Sequence, residues 1–341
     1  MTSLPEAVDA IADEHGFSGV VSVDRGGQAE FARAYGLAHR AHAIPNTVDT
    51  RFAIASGAKA LTALAVVSLI DDGVLTLGTT ARSLLRDDLP RIDDRVTVEQ
   101  LLAHRSGIGD YLDEDDEELD VDDYLLAVPM QQLAAPEDYI AVLDGHAAKF
   151  PPGEGFSYCN AGYVVLALIA ERASGTPYHE LVRTRVCAPA RMRDTEFLRS
   201  DELPDRTALG YVPAGDGRWR SNVFHLPVRG VGDGGAYTTV ADMSAFWRAL
   251  FAGRIVPPRW AAEMVRPRQD VPGERLRAGL GFFLHQTRDQ VMLMGQDAGV
   301  SFMSVHDPAS ALTYTVVSNT SAGAWPVLRP LRERFSDGSP G

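Results

Sequence analysis

Several residue types are scarce in this sequence of 341 residues, and each shortage excludes a class of protein. The two cysteines, Cys159 and Cys187, are too few for a disulfide framework and lack the spacing of zinc ligands. No apolar stretch reaches the roughly 18 to 20 residues that cross a bilayer, and the amino terminus lacks a basic leader followed by an apolar segment. We therefore expect two reduced, buried thiols, no membrane span and a cytoplasmic location.

Positive charge is also sparse. The formal net charge is −14 at pH 7, which argues against nucleic acid or an anionic membrane surface as a partner. The imbalance is concentrated in DYLDEDDEELDVDD, residues 110–123, which has ten carboxylates and no cation. We call residues 110–123 the acidic segment, and such a run predicts a solvated, mobile loop.

The sequence also lacks common motifs for metal binding, for phosphate binding and for the nucleophile elbow of α/β-hydrolases. The sequence contains no HExxH, no CxxC, no GxxxxGK[ST] and no GxSxG. We therefore predict no metal and no cofactor, and expect a small-molecule partner. The oligomeric state is not predicted.

The spacing of apolar residues predicts an α+β fold. Alternation on either side of a turn at residues 24–27 indicates a β-hairpin, and a helical pattern then runs from Ile54 to Gly73. Thr97 with Gln100 has the spacing of a helix capping box. Further helical patterns follow at residues 160–175 and 239–253, and short alternating runs after residue 278 indicate strands.

Neither terminal group of strands is large enough to be stable alone. We therefore predict one antiparallel sheet that both chain ends complete, flanked by helices in a three-layer, α/β/α-like arrangement. The chain would form one domain over residues 1–341. Its sheet would lie at about 15–55 and 230–335, and a mostly helical lobe at about 75–205.

The scarcity of lysine draws attention to Lys59 in FAIASGAKALTALAVV. Lys59 and Lys149 are the only lysines, and the other thirty of the thirty-two basic residues are arginine. A guanidinium stays protonated, whereas a buried amine can lose its proton and act as a base. Ser56 lies three residues earlier, so on a helix both side chains share one face. The pair has the requirements of an activated nucleophile; the alternative is an exposed helix lysine.

A second candidate group lies in KFPPGEGFSYCNAGYVVLALIAE. Tyr158 and Asn160 stand two residues apart on a loop that leads into an apolar helix. A tyrosine beside an ammonium can act as a phenolate-type base or proton relay, and an asparagine amide can bind a substrate carbonyl. The alternative is structural, with Asn160 capping the helix and Tyr158 packed beneath it.

Together these segments resemble the serine beta-lactamase-like family of class C beta-lactamases, D,D-peptidases and related esterases. The motifs that carry the resemblance are TRFAIASGAK with its SxxK, LLAHRSGI, and FPPGEGFSYCNAGY with its YxN. Weaker matches extend it over about residues 20 to 320. The resemblance implies a penicillin-binding fold in which Ser56 is acylated, Lys59 and Tyr158 share its proton, and Asn160 orients the substrate.

The family's third motif, a Lys-Thr-Gly or His-x-Gly, is replaced here. The matching stretch is GQDAGVSF, which places Gln296, Asp297 and Ala298 on the three positions. Glutamine has no charge and cannot pair with an anionic carboxylate as lysine would. An oxyanion hole needs only backbone N–H groups, and those of Ser56 and Gly299 are the predicted donors.

These features favour a serine hydrolase that acts on small neutral or cationic esters or amides and is esterase-like. The lost cation of the third motif and the nearby acidic segment both disfavour anionic substrates. Beta-lactamase activity, D-amino-acid peptidase or amidase activity, acyl transfer, and a non-catalytic binding role remain alternatives.

Overall fold

The computed structural model describes residues 3–116, 118–126 and 128–336. Its strands are β1 Gly19–Arg25, β2 Gln28–Tyr35, β3 Leu37–His39, β4 Ile44–Pro45, β5 Phe52–Ala53, β6 Tyr211–Pro213, β7 Trp219–Ser221, β8 Tyr237–Thr238, β9 Gln269–Asp270, β10 Leu276–Ala278, β11 Phe283–His285, β12 Val291–Asp297, β13 Val300–Asp307 and β14 Leu312–Ser318. Eight of them form one antiparallel sheet in the order β2-β1-β14-β13-β12-β11-β10-β9.

The helices cover both faces of this sheet. They are α1 Leu4–Glu14, α2 Lys59–Asp71, α3 Ala81–Leu85, α4 Val98–Leu102, α5 Ile140–Leu143, α6 Asn160–Ser174, α7 Tyr178–Val182, α8 Ala188–Ala190, α9 Val240–Phe251, α10 Pro258–Met264 and α11 Ala324–Phe335. Helices α1 and α11 pack on one face, and α2, α6 and α9 belong to the core on the other.

The centre of the sheet is buried on both faces, which explains its apolar sequence. Every residue of β14 is buried, with Tyr314 and Val316 in the α1/α11 layer and Val317 in the opposite layer. Alternate side chains of a strand point to opposite faces, so a strand between two helical layers must be apolar on both. β1 pairs with β14, and the amino-terminal hairpin thereby completes a sheet whose other strands come late in the chain.

The α+β prediction, with one antiparallel sheet completed by both chain ends, is confirmed. The capping box of Thr97 with Gln100 opens α4, and both cysteines are buried free thiols. The domain bounds, 1–341, include residues outside the described part of the chain and stay a prediction. Within that part, none of the helices has the length and apolar character needed to cross a bilayer.

Among the helices that were not predicted, two form a layer of the fold. α1 and α11 lie at the two ends of the chain and together cover one face of the sheet. A signal for α1 was present, because Ser3 and Glu6 form a capping box and Pro5 occupies its first turn. α11 has a weaker signal, since Pro330 lies inside it.

Candidate active site

The candidate nucleophile, Ser56, lies in a short 3₁₀ turn, Ala55–Ala58, that leads directly into α2. Ala55 has a φ of 43°, a left-handed conformation that residues with a Cβ rarely adopt. Such local strain is held in place by surrounding structure and clusters at functional sites. The half-buried Ser56 side chain is presented to the cleft between the sheet and the helical lobe.

Lys59 is buried, with 4% of its surface exposed, and its amine is fully hydrogen bonded. Its Nζ lies 2.9 Å from Ser56 Oγ, 2.7 Å from Asn160 Oδ1 and 2.7 Å from the carbonyl oxygen of Asp233. Burial lowers the pKa of Lys59, although the negative charges of Asp233, Glu114 and Asp110 oppose this. The exposed helix lysine of the alternative interpretation is therefore excluded.

The hydrogen-bond partners of Lys59 determine how its N–H groups and its lone pair are oriented. Asn160 Nδ2 donates to the Leu112 carbonyl at 2.9 Å and to Glu114 Oε1 at 3.1 Å, so its Oδ1 must face the amine. Asn160 Oδ1 and the Asp233 carbonyl can only accept. When the amine is neutral, its two N–H groups therefore point to these oxygens and its lone pair points to the Ser56 hydroxyl.

Tyr158 lies beside both Lys59 and Ser56. Its ring centroid lies 4.8 Å from Lys59 Nζ, and the ring stacks on His104 at 4.5 Å and on Phe283 at 6.2 Å. Burial raises the pKa of Tyr158 well above its usual value, the charge of Glu114 adds to the rise, and a hydrogen bond with Ser56 opposes it. This favours a protonated phenol, and thus the proton-relay interpretation over the phenolate.

Asn160 is not a helix cap. The N-cap of α6 is Cys159, whose Sγ accepts a hydrogen bond from the Gly162 N–H. The backbone N–H groups of Asn160 and Ala161 donate to the carboxylate of Asp110. The Asn160 side chain is consequently free to bind Lys59, and the structural alternative for this residue is wrong.

The hairpin of β12 and β13 corrects the assignment of the third motif. Gln296 and Asp297 line the same cleft as Ser56. Ala298 is fully buried and its carbonyl accepts from Asn222 Nδ2, while the Gly299 N–H donates to Ser321 Oγ at 2.8 Å. Gly299 therefore has no free N–H for an oxyanion, and its predicted role was wrong.

The residue that approaches the nucleophile is Gly295, which the sequence analysis did not select. A Cβ on Gly295 would lie 2.3 Å from the Ile54 carbonyl oxygen and 2.8 Å from the Ser56 nitrogen. Glycine alone fits such a close backbone approach. The sequence did contain a signal for this close approach, because Gly295 is a single glycine within a mostly apolar strand.

A different oxyanion donor follows from the register of β12. Asp297 pairs with Val300 across a two-residue loop, so Gln296 and Ser301 form the next, non-hydrogen-bonded pair. The Gln296 N–H therefore points away from β13. β11 pairs with β12 only at Val291 and Met292, so it does not pair with Gln296, which lines the same cleft as Ser56.

Most described carboxylates of the acidic segment are exposed, as predicted, but the segment also packs against the cleft near both of its ends. Asp110 is buried against α6, and burial raises its pKa to about 6 against the effect of the backbone N–H groups of Ala161, Asn160 and Leu112. The Tyr111 hydroxyl donates to Asp233, and Asp122 accepts from Ser321. Lys149, the second lysine, holds Asp113 and Asp115. Glu117 lies outside the described residues.

Two pockets meet at Ser56. The larger is a cleft of about 840 Å³, counted out to its open mouth, and it contains Glu114, Asn160, Asp233, Gln296 and Asp297. The smaller, of about 340 Å³ when it is likewise counted out to its open mouth, lies on the Tyr158 side and is lined mainly by aromatic and apolar side chains of β11, β12 and α6. Among the described residues, no three His, Cys, Asp or Glu side chains are arranged to bind a metal ion.

Known proteins match the chain over nearly its full length. A family model described as Beta-lactamase matches residues 4–336. Esterase EstB of Burkholderia gladioli is 30% identical over 321 residues, which cover 82% of this chain and 79% of that protein. The chain spans 66% and 63% of the length of two matching penicillin-binding proteins of Bacillus subtilis (strain 168), one of them described as putative.

Solved structures are also similar. A penicillin-binding protein from Bacillus halodurans is 34% identical, with a TM-score of 0.90 over 96% of this chain and 100% of that chain. D-amino acid amidase from Ochrobactrum anthropi SV3, complexed with D-phenylalanine, is 26% identical, with a TM-score of 0.77 over 97% of each chain.

Gly295→Ala is expected to lower kcat by about 100-fold or more, because its Cβ would displace the backbone of the nucleophile and misplace an oxyanion donor. The control is Gly78→Ala, whose Cβ would meet nothing closer than Thr76 Oγ1 at 3.9 Å. Steady-state ester hydrolysis, with circular dichroism to confirm folding, measures the effect. Equal activity of the two folded variants would contradict this account of β12.

Proposed function

This chain belongs to the Beta-lactamase family, and from that premise we propose that it is a serine hydrolase acting through an acyl-enzyme on Ser56. The observation that carries the proposal is the contact of the buried Lys59 amine with Ser56 Oγ at 2.9 Å. A base in hydrogen-bonding reach of a hydroxyl, itself oriented by further groups, is the arrangement of an activated nucleophile.

In the acylation step, Ser56 Oγ attacks the substrate carbonyl and its proton passes to Lys59. The backbone N–H groups of Ser56 and Gln296 stabilise the oxygen that becomes negative. The carbonyl re-forms as the bond to the leaving group breaks, and the leaving group takes the proton of the Tyr158 hydroxyl. The Lys59 ammonium then returns a proton to Tyr158.

Deacylation repeats these steps with water as the nucleophile. Water gives its proton to Lys59 through Tyr158 and attacks the acyl carbonyl, and Ser56 Oγ leaves with a proton from the same pair. Asn160 keeps Lys59 aligned and reaches the cleft where the acyl group lies. An alcohol or amine in place of water would give acyl transfer.

A small ester is the substrate class that the pockets support best. Among the described residues that line the two pockets, Lys59 is the only lysine or arginine. No side chain there is available to pair with the carboxylate of a beta-lactam or of a peptide terminus. EstB, an esterase by name, is a relative at 30% identity. The cytoplasmic location and the absence of a cofactor stay predictions.

An amidase is the second candidate. It is supported by the similarity to D-amino acid amidase at 26% identity and a TM-score of 0.77. The same proton path serves both leaving groups, because Tyr158 can protonate an amine as well as an alkoxide.

Covalent labelling tests the nucleophile. A fluorophosphonate probe should add one label per chain, seen by intact mass, and Ser56→Ala should abolish both labelling and ester hydrolysis. The reason is that the probe traps only an activated hydroxyl. A folded wild-type protein that stays unlabelled would favour the non-catalytic binding role instead.

Lys59→Arg replaces the amine that acts as the base with a guanidinium that stays protonated, so kcat for a neutral p-nitrophenyl ester should fall about 10²- to 10⁴-fold. Lys149→Arg is the matched control, because Lys149 binds Asp113 and Asp115 and does not contact Ser56. Its activity should stay within a few-fold of wild type. A similar fall in kcat in both variants would show that the fall does not come from loss of Lys59 as the base.

A paired assay tests the substrate class. The wild-type protein should turn over a neutral p-nitrophenyl ester faster than a chromogenic cephalosporin, whose carboxylate finds no cationic partner in the pockets. The measurement is kcat/KM for each substrate under the same conditions. Faster turnover of the cephalosporin would overturn the esterase-like proposal and leave the acyl-enzyme mechanism intact.

A further inference from the structure

The two pockets that meet at Ser56 receive different halves of the substrate. Tyr158 lines the smaller pocket, and it is the group that protonates the leaving group. The leaving group therefore lies on that apolar, aromatic side. The acyl group must then extend into the larger cleft, which Tyr158 does not line.

Three carboxylates line the larger cleft, and each accepts a hydrogen bond from a neutral side chain. Glu114 accepts from Asn160 Nδ2 at 3.1 Å, Asp297 accepts from the Tyr124 hydroxyl at 3.0 Å, and Asp233 accepts from the Tyr111 hydroxyl. Among the described lining residues there is no arginine, lysine or histidine. The amine of Lys59, which lines the smaller pocket, contacts the backbone carbonyl of Asp233.

Elsewhere in the described part of the chain, arginine pairs with some half-buried carboxylates. Asp194 is held by Arg51 and Arg206, and Arg172 holds Asp88. Burial raises the pKa of Asp297 to about 7, and the charges of Asp233 and Glu114 add to the rise. Burial likewise raises the pKa of Asp233, against the opposing charge of Lys59. The negative charges of these carboxylates repel one another, and a cation that enters the cleft would offset that repulsion.

Aromatic rings complete a site suited to a cation. Tyr111, Tyr124, Tyr139 and Tyr237 line the same cleft. An ammonium is attracted to the face of an aromatic ring as well as to a carboxylate. The hydroxyls of Tyr111 and Tyr124 also fix the two aspartates in place, so the carboxylates are oriented before any ligand arrives.

We propose that the acyl group of the substrate carries a protonated amine, held by the carboxylates of Asp233 and Asp297. The substrates would be aminoacyl esters or amides. Asp233 is close to the proposed base, because its backbone carbonyl accepts a hydrogen bond from Lys59 Nζ. This inference rests on the proposed serine hydrolase activity and specifies its acyl specificity.

A pair of substrates that differ in one group tests the inference. Alanine phenyl ester and isobutyric acid phenyl ester have similar shapes, but the first has an ammonium where the second has a methyl group. Both D- and L-alanine esters are assayed at a pH where the amine is protonated. Each kcat/KM is divided by the rate of uncatalysed hydrolysis, which removes the difference in intrinsic reactivity.

The wild-type protein should prefer one of the alanine esters by about tenfold or more, equivalent to about 1.4 kcal/mol. Asp297→Asn should reduce this preference about tenfold, because it removes one of the two charges while keeping the shape of the side chain. The control is Asp123→Asn, the same change at an exposed residue of the acidic segment that does not line the cleft. It should leave the preference unchanged.

No preference in the wild-type protein, or a preference that Asp297→Asn leaves intact, would overturn the inference. If Asp297→Asn fails to fold, inhibition of isobutyrate ester hydrolysis by benzylamine, with benzyl alcohol as the neutral control, decides the question in the wild type. Stronger inhibition by the amine supports the inference, and equal inhibition overturns it. Turnover of the isobutyrate ester together with labelling of Ser56 reports separately on the proposed function.

Discussion

The candidate site depends on one interaction, the burial of the Lys59 amine among three acceptors. An unpaired ammonium in an apolar environment costs several kcal/mol, so burial shifts the equilibrium towards the neutral amine. Two of the acceptors, Asn160 Oδ1 and the Asp233 carbonyl, cannot give a proton back. The Ser56 hydroxyl is the one partner of the three that can give a proton to the neutral amine. This difference sets the direction of proton transfer, from Ser56 to Lys59.

The fold serves mainly to bring these groups together from distant parts of the chain. α2 contributes Lys59, α6 contributes Asn160, and a glycine-rich loop before β8 contributes Asp233. β12 passes against the Ser56 turn at Gly295, where a side chain would not fit. The centre of the sheet is buried on both faces, and the acidic segment contacts the cleft through Tyr111 and Asp122. The residues of the site are far apart in the sequence, so the site forms only when the whole domain is folded.

Much of this arrangement is predictable from local sequence. The apolar pattern around Ser56 and Lys59, the rarity of lysine and the Thr97 capping box depend on residues within one or two helical turns. The sheet follows from the alternating runs at both chain ends. Gly299 was misassigned, and the cleft contacts of the acidic segment were not predicted, because both depend on distant partners: Ser321 binds the Gly299 N–H, and α6 with Asp233 binds the acidic segment. Strand register and the contacts of a charged loop are tertiary properties, which composition does not encode.

The most direct test of the account is the titration of Lys59 itself. The chain has two lysines, so protein labelled with ¹³C only in lysine side chains should give two titrating signals, and Lys149→Arg assigns them. The account predicts that Lys59 titrates below 10.5, the ordinary value for lysine. For Lys149, burial works to lower the pKa, but hydrogen bonds with Asp113 and Asp115 raise it overall. A Lys59 signal that titrates at or above the ordinary value would contradict the claim that this amine is the base.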